Sequence, residues 1–449
     1  MSRFRKLAAL AAGCALLAVN APAADAASGS ATTTPIKHFI YLMQGARSFD
    51  DYFGSYPGAD GFPAGECQKV GSGSGCVRPH SLDGQSAGLA GIDGPLIAHE
   101  VDGGRMDGFV SAFAQQDRSG QTAMGYYNGA ELPTDWAAAG QYVLFDQFYS
   151  DDEFGTTANR ADWVAAADPD GNRVPTGGYD ELPTIFDRLQ AAGVSWKFYV
   201  QDYNPKNTGL AAGKNADDQA ARVPLLDYAR FLDDPELRGH IEDLSQYYAD
   251  LADGTLPAVA YVASSGADEQ SAHSIAAGQR LIQTMVNQLM VSRYWDSSAL
   301  LWSYDQSGGW FDQEAPPKTA AGTLGLRVPA VLVSAYAKQG SIDATLSDPE
   351  SALRFIEQNW GLAPLTARDA DANSLTGAFD FAAAPRPARL LPGPATASAI
   401  ATVAAADPRT GKAVALYAVL VAGCVVLLAV AAAATLRRNR SLAEPAGRS

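Results

Sequence analysis

The chain has 449 residues, of which 47% are hydrophobic and 18% charged, enough for one large folded domain or two ordinary ones. Its formal net charge of −16 argues against non-specific binding to nucleic acid or to anionic lipid surfaces. We interpret the acidity as a soluble exterior and expect no nucleic-acid partner.

The first residues have the pattern of an export signal. Arg3, Arg5 and Lys6 precede an Ala/Leu-rich run, Leu7–Val19, and small-residue sites follow at 21–26. A basic start, an apolar centre and small residues at the cleavage site are typical of secretory signal peptides. The sequence therefore predicts a signal peptide over residues 1–27.

The other end of the chain predicts a membrane anchor. An Ala/Pro-rich spacer covers 385–412, and residues 413–436 are apolar and uncharged. That run is long enough to cross a bilayer, whereas a buried core helix of this length usually has a polar face. Because positive charge stays cytoplasmic, the arginines in the tail 437–449 place residues 28–384 outside. We predict a single-pass protein of the cell membrane with an extracellular domain.

Four cysteines are present, and two of them fall in the exported domain. Cys14 lies in the predicted signal peptide and Cys424 in the predicted span. Cys67 and Cys76 flank a Gly/Ser run that would let them meet. A disulfide is the preferred interpretation in an exported protein, and a metal-binding pair is the weaker alternative.

Between the two ends, apolar strand candidates alternate with helical patterns. The predicted strands are Phe39–Met43, Tyr142–Phe148, Trp196–Val200, Ala258–Val262, Ala299–Tyr304 and Val328–Val333. The predicted helices include Pro183–Ala192, Ile275–Met290 and Glu350–Gln358. This alternation predicts an α/β fold with a largely parallel sheet covered on both faces.

The segment His38–Gly54 carries a family resemblance. An apolar run is followed by a polar turn that contains Arg-Ser-Phe-Asp-Asp-Tyr-Phe-Gly. It resembles the N-terminal signature of the bacterial phosphoesterase family, which includes phospholipases C and acid phosphatases and commonly ends Glu-Asn-Arg-Ser-Phe-Asp-x-Tyr-Phe-Gly. Where the family places a metal-binding Glu and Asn, this chain has Gly45 and Ala46. Neither of these side chains can hold a cation.

Further sequence motifs similar to those of the family occur along the chain in the same order as in the family, at 102–110, 124–127, 131–133, 189–197, 327–330, 355–362 and 366–370. The resemblance implies an alkaline-phosphatase-like α/β fold, a three-layer sandwich. It also implies hydrolysis of phosphoester bonds, which needs a nucleophile, a means of neutralising the phosphoryl oxygens and an acid for the leaving group.

The family places a Ser or Thr nucleophile three residues before an Asn, which puts Thr156 in the nucleophile position ahead of Asn159. Asn159 would bind a phosphoryl oxygen, and Arg47, Arg160 and Glu269 are predicted binding residues. The alternative is an ordinary helix start with Thr156 as its cap, and on spacing alone this alternative is preferred.

The second metal segment of the family is also altered. Two adjacent acids are usual where this chain has Asp305 and Gln306, so Asp305 is the single retained ligand. Family histidines are replaced as well, at Gln313, Gln270 and Ala344. One carboxylate is a poor site for a divalent cation, which prefers several oxygen ligands. We therefore expect no cofactor, or a divalent metal if the protein is active.

Two hypotheses follow from these losses. In the first, the protein is a membrane-anchored member of weak or no activity that binds a phosphorylated ligand or a cell-surface partner. In the second, it is an active hydrolase with a rearranged site. That site would use Thr156 as nucleophile with Asn159, Asp305, Glu269 and His273. The first is preferred because losing one part of a catalytic unit already removes most of its rate.

Overall fold

A computed structural model describes the central part of the chain. The described residues are 31–70, 75–82, 94–117, 120–153, 155–167, 171, 173–179, 181–207, 218–265, 267, 269, 275–320 and 322–394. The predicted signal peptide and the predicted span at 413–436 lie outside them, so both remain predictions.

The strands are β1 (His38–Gln44), β2 (Gln68–Lys69), β3 (Cys76–Val77), β4 (His80–Ser81), β5 (Gly125–Tyr126), β6 (Val143–Phe145), β7 (Trp196–Val200), β8 (Ile241–Asp243), β9 (Val259–Ala263), β10 (Ser298–Tyr304), β11 (Ala330–Ser334) and β12 (Ser341–Asp343).

The helices are α1 (Phe49–Phe53), α2 (Gly94–Val101), α3 (Phe109–Asp117), α4 (Pro133–Gln141), α5 (Thr156–Ala165), α6 (Ile185–Ala191), α7 (Asp218–Arg222), α8 (Ala229–Asp233), α9 (Pro235–Arg238), α10 (Ser245–Asp253), α11 (Ile275–Val291), α12 (Pro349–Trp360) and α13 (Ala367–Asp371).

The main sheet has eight strands in the order β12-β6-β11-β10-β1-β9-β7-β8. Only β11 runs antiparallel to its neighbours within this sheet, and the other pairings are parallel. β1 lies at the centre, and its residues after His38 are all buried. The predicted α/β fold with a largely parallel sheet is confirmed.

Helices cover both faces of this sheet. On one face, Tyr41 of β1 packs edge-on against Trp163 of α5, with ring centroids 5.5 Å apart. On the other face, Trp302 of β10 donates a hydrogen bond from Nε1 to Asp135 of α4 at 2.8 Å. A sheet between two helical layers places its functional groups at the carboxyl ends of the strands.

The cysteine pair closes a small hairpin next to the main sheet. β2 pairs antiparallel with β3, and the Cys67–Cys76 disulfide joins them across a Cα–Cα distance of 5.6 Å. The disulfide predicted from the two exported cysteines is present in the structure.

The packed chain continues beyond the predicted boundary at residue 384. Arg386 donates hydrogen bonds to the carbonyls of Gln141 and Ala337, at 3.1 and 2.8 Å. The buried Leu391 is held by Asn287, whose Oδ1 accepts from the Leu391 N–H at 2.8 Å. The first ten residues of the predicted spacer, 385–394, therefore belong to the folded unit.

Within the described residues, no helix has both the length and the apolar character that a membrane crossing requires.

Candidate functional site

The candidate site lies where β1 and β10 end side by side. The two strands pair in parallel, with Gln44 opposite Tyr304. Past these ends, the Arg47 N–H donates to the Gln306 carbonyl at 2.8 Å. This pairing brings the two segments that the resemblance identified, 45–46 and 305–306, next to each other.

Thr156 faces this junction from the start of α5. Gln306 donates a hydrogen bond from Nε2 to Thr156 Oγ1 at 2.7 Å. The N-cap of α5 is Gly155, which has no side chain to cap the helix, and Thr156 is the first helical residue. The alternative interpretation of Thr156 as a helix cap is therefore wrong. The predicted nucleophile instead contacts the residue that stands where the family has an acid.

Asp305 is paired with a guanidinium of the protein itself. Arg160 donates from Nε to Asp305 Oδ2 at 3.1 Å, and both side chains are 1% exposed. The same guanidinium donates to the carbonyl of Gln44 at 2.8 Å. Burial raises the pKa of Asp305, and Arg160 partly opposes that rise. The carboxylate thus already has a cationic partner.

Arg160 lies four residues after Thr156, one turn further along α5, so both side chains reach the same side of the helix. This spacing is a sequence signal that could have placed Arg160 on the same side of α5 as Thr156, although it does not identify Asp305 as the partner. We name Thr156, Arg160, Asp305 and Gln306 the cleft group. In this group Asp305 Oδ1 and Gln306 Oε1 are buried and accept no hydrogen bond from the described residues.

These residues do not fit the divalent metal that the family resemblance implies. Gly45 and Ala46 offer no side-chain ligand, and Asp305 is engaged by Arg160. Gln306 contributes an uncharged amide oxygen. Divalent cations such as Mg²⁺ and Ca²⁺ prefer several oxygen ligands. A cation bound here would have one carboxylate, that of Asp305, and would be repelled by the guanidinium of Arg160.

Asn159 supports the backbone and has no free donor for a phosphoryl oxygen. Its amide nitrogen donates to the carbonyls of Asp152 and Gly155, at 3.1 and 3.0 Å. Its oxygen accepts from the Asp152 N–H at 2.8 Å. The side chain closes the loop that leads into α5. These contacts contradict the predicted role of Asn159 in phosphoryl binding.

Arg47 lies in the interior, so it cannot serve as the predicted binding residue. It has no exposed surface, and its guanidinium donates to Asp51 Oδ2 at 3.2 Å and to the Glu269 carbonyl at 2.6 Å. The guanidinium carbon also lies 5.0 Å from the ring centroid of Trp310. Arg47 stabilises the core beneath the site.

Glu269 is likewise buried, and its side chain bonds to residues outside the cleft group. Its Oε2 accepts hydrogen bonds from the hydroxyls of Tyr52 and Tyr304, at 2.5 and 2.7 Å. Burial first, and then the charge of Asp135, raises the pKa of Glu269 to about 8. Within the described residues, the contacts of Glu269 include none with Thr156. His273, a further predicted member of the rearranged site, lies outside the described residues.

Two further buried acids, Asp50 of the signature segment and Asp312, share one arginine. Arg327 donates to Asp312 Oδ1 at 3.1 Å and to Asp50 Oδ1 at 3.3 Å, and none of the three side chains is exposed. Together with Arg47, Asp51 and Glu269, these residues form what we name the signature network. The motif residues that the chain retains are therefore structural ones.

Comparison with known proteins agrees with the resemblance. The model of the phosphoesterase family matches residues 36–363. A Mycobacterium tuberculosis protein named phospholipase C B is 28% identical over 457 residues, covering 86% of each chain. The non-hemolytic phospholipase C of Pseudomonas aeruginosa is 25% identical over 418 residues, covering 77% of this chain and 57% of the relative.

Among solved structures, a Vibrio parahaemolyticus protein of the alkaline phosphatase superfamily aligns over 75% of this chain and 70% of its own. The identity is 12% and the TM-score 0.36, which is too low to support an argument about the fold. The family assignment comes from the sequence match instead. Since that match spans most of the chain, this protein belongs to the phosphoesterase family.

Proposed function

We propose that this protein is a phosphoesterase-family member of weak or no catalytic activity, whose cleft group serves as a binding site. The observation that carries the proposal is the Arg160–Asp305 pair, both side chains being buried at a separation of 3.1 Å. A guanidinium stands beside the one carboxylate that the family's metal site has left. The charge that would hold a catalytic cation is thereby neutralised by the protein.

The polar atoms of the cleft group support a binding role. Asp305 Oδ1 and Gln306 Oε1 are buried acceptors that receive no hydrogen bond from the described residues. Buried polar atoms without partners are costly, so a ligand that donates hydrogen bonds there would gain affinity. A phosphorylated ligand with a hydroxyl or amine head, or a cell-surface partner, is the class that we propose.

We also retain the export and anchoring as part of the proposal. The basic and apolar start, the apolar run 413–436 and the following arginines support an extracellular domain on a single membrane anchor. A membrane-held domain would meet phosphorylated head groups and surface partners at high local concentration.

The second candidate is an active hydrolase that uses Thr156 as its nucleophile. The observation in its favour is that the Thr156 hydroxyl accepts from Gln306 and can still donate its own proton, at the start of the ten-residue helix α5. The relatives named phospholipase C suggest a phospholipid as its substrate. An active enzyme of this kind would have to neutralise the phosphoryl oxygens without the metal-binding residues that Gly45, Ala46 and Gln306 replace.

An assay separates the two candidates. The purified full-length protein and its Thr156→Ala variant are incubated with para-nitrophenyl phosphate and with phosphatidylcholine vesicles, with and without Mg²⁺, Mn²⁺ or Ca²⁺. The mycobacterial phospholipase C B serves as the positive control. We expect equal background rates for the two forms. A rate in the wild type that Thr156→Ala removes would establish the hydrolase instead.

Binding is measured in parallel by titrating phosphoethanolamine, whose ammonium group donates hydrogen bonds, and inorganic phosphate, which lacks that group, into the wild type and into Gln306→Ala. We expect a ligand with donor groups to bind the wild type and to lose about tenfold in affinity in Gln306→Ala, because one hydrogen bond is lost. Equal affinities would place any binding outside the cleft group.

A further inference from the structure

Three carboxylates outside the cleft group converge on one point. Asp151 follows strand β6, whereas Asp348 and Glu350 belong to the start of helix α12. One carboxylate oxygen of each residue lies within 4.8 Å of the others. Asp151 and Glu350 are 2% and 1% exposed. The chain therefore holds three acidic side chains together, two of them almost without solvent contact.

Helix capping accounts for two of these acids. Asp348 is the N-cap of α12, and its Oδ1 accepts from the Ser351 N–H at 2.9 Å. Glu350 lies in the first turn, where the helix dipole favours negative charge. Neither reason applies to Asp151, which comes from a different segment of the chain.

The lack of described hydrogen-bond donors around the Asp151 carboxylate points to a ligand. Neither of its carboxylate oxygens accepts a hydrogen bond from any described residue. A buried carboxylate without donors is costly, and such groups in native structures usually have a proton, a water molecule or an ion as partner. Burial raises the pKa of Asp151 well above its usual range, and the Glu350 carboxylate raises it further.

The nearby arginine does not balance these charges. Arg368 Nη2 lies 2.9 Å from Glu350 Oε1, an ion pair without hydrogen-bond alignment. Its Nη1 donates to Asp162 Oδ1 at 3.1 Å, so the guanidinium is shared with a fourth carboxylate. Within the described residues, Arg368 is the one cation paired with an acid of this cluster, and the three carboxylates of Asp151, Asp348 and Glu350 outnumber it.

Space for a solvated ion adjoins the carboxylates. A cavity of about 580 Å³ is lined by residues that include Asp348, Glu350 and Arg368. A second cavity, of about 270 Å³, is lined by residues that include Asp151 and Arg368. Divalent cations with oxygen ligands complete their coordination with water, which these cavities have room to supply.

We propose that Asp151, Asp348 and Glu350 bind a divalent cation of the hard, oxygen-liganded class, such as Ca²⁺, Mg²⁺ or Mn²⁺. The site joins the loop after β6 to the start of α12. It shares no residue with the cleft group, so it stands or fails independently of the proposed function.

The test is a titration of each cation alone into the purified full-length protein, after chelator treatment and dialysis, followed by calorimetry and thermal unfolding. We expect at least one cation to bind and to raise the unfolding temperature in a saturable way. Asp151→Asn and Glu350→Gln should each lose at least about tenfold in affinity. Asp371→Asn, an exposed acid that lines the larger cavity, should keep the wild-type affinity.

The unfolding temperature without metal controls for folding. Asp151→Asn should unfold at or above the wild-type temperature, because it removes an uncompensated buried charge. The cations are tested up to about 10 mM, well above the dissociation constants of extracellular Ca²⁺ sites. If none of the three binds, a proton neutralises the acids and the proposal is overturned. Equal binding by wild type and Asp151→Asn would overturn it as well.

Discussion

The signature network and the cleft group lie next to each other and differ in how their charges are used. In the signature network, Arg327 pairs with two buried acids and Arg47 with a third. In the cleft group, one arginine pairs with Asp305, and two acceptor oxygens have no described partner. The retained motif residues thus form internal ion pairs, whereas the replaced positions lie at the ligand site that we propose. Retention of a motif here reports on the scaffold rather than on catalysis.

The largest expected effect tests the signature network. Arg327→Met removes the cation shared by Asp50 and Asp312 and leaves two carboxylates buried and unpaired. We expect a loss of about 5 kcal/mol in the free energy of unfolding, measured by urea denaturation. The matched control is Arg105→Met, which removes an ion pair whose arginine side chain is 63% exposed and should cause no measurable change. A small loss in Arg327→Met would mean that the network does not hold the scaffold.

The next effect tests the Arg160–Asp305 pair of the cleft group. Arg160→Met leaves Asp305 as an uncompensated buried charge, so we expect a loss of about 3 kcal/mol in the free energy of unfolding.

The double variant Arg160→Met with Asp305→Asn removes both charges and should recover most of that loss, because neither partner is left alone. The measurement is a double-mutant cycle by urea unfolding. Additive losses in the cycle would show that the two side chains are not coupled, and the proposed neutralisation of Asp305 would fail.

A smaller effect concerns the dependence of stability on pH. The pKa of Glu269 is raised to about 8 by burial, so the folded state retains a proton that the unfolded state releases near pH 4.5. The stabilising contribution of the protonated form is complete below about pH 4.5 and declines as the pH rises to about 8.

Glu269→Gln should remove this decline, since the amide does not ionise. We expect the free energy of unfolding of Glu269→Gln to exceed that of the wild type by about 1 kcal/mol or more at about pH 8, and to be close to it at about pH 4.5. Unfolding temperatures across this range provide the measurement. A wild-type protein whose stability rises with pH while that of Glu269→Gln does not would contradict the assignment.

The smallest expected effect is that of Thr156→Ala on stability. The Thr156 hydroxyl accepts one hydrogen bond, from Gln306, and caps no helix. We expect a loss of less than about 1 kcal/mol. Thr184→Ala, which removes a true N-cap hydroxyl that accepts from the Asp187 N–H, should cost more. A larger loss in Thr156→Ala would mean that Thr156 has a structural role.

The sequence predicted those strands whose residues form continuous apolar runs. Strands β1, β7, β9 and β10 were found in this way because they are buried on both faces. Strands β8 and β12, of three residues each and only partly buried, have no pattern long enough to recognise. The antiparallel direction of β11 could not be predicted, because direction depends on the path of the connection rather than on side chains.

The site was predicted in part. The resemblance identified the positions of Gly45, Ala46, Asp305 and Gln306, and the parallel pairing of β1 with β10 brings them together. The Arg160–Asp305 pair was not predicted, because it joins residues 145 positions apart and depends on burial. Arg47 and Glu269 were predicted as binding residues because a charged side chain in a motif suggests a ligand. In the structure Arg47 pairs with Asp51 inside the core, and Glu269 accepts hydrogen bonds from Tyr52 and Tyr304.

The most direct test of the central claim is a crystal of the protein grown with Mn²⁺, in which anomalous scattering locates the metal. The account predicts no manganese beside Asp305, with the Arg160 guanidinium in contact with that carboxylate. Manganese among Asp151, Asp348 and Glu350 would be compatible with this result. A manganese ion bound to Asp305, with Arg160 displaced, would contradict the claim that the protein itself neutralises this carboxylate.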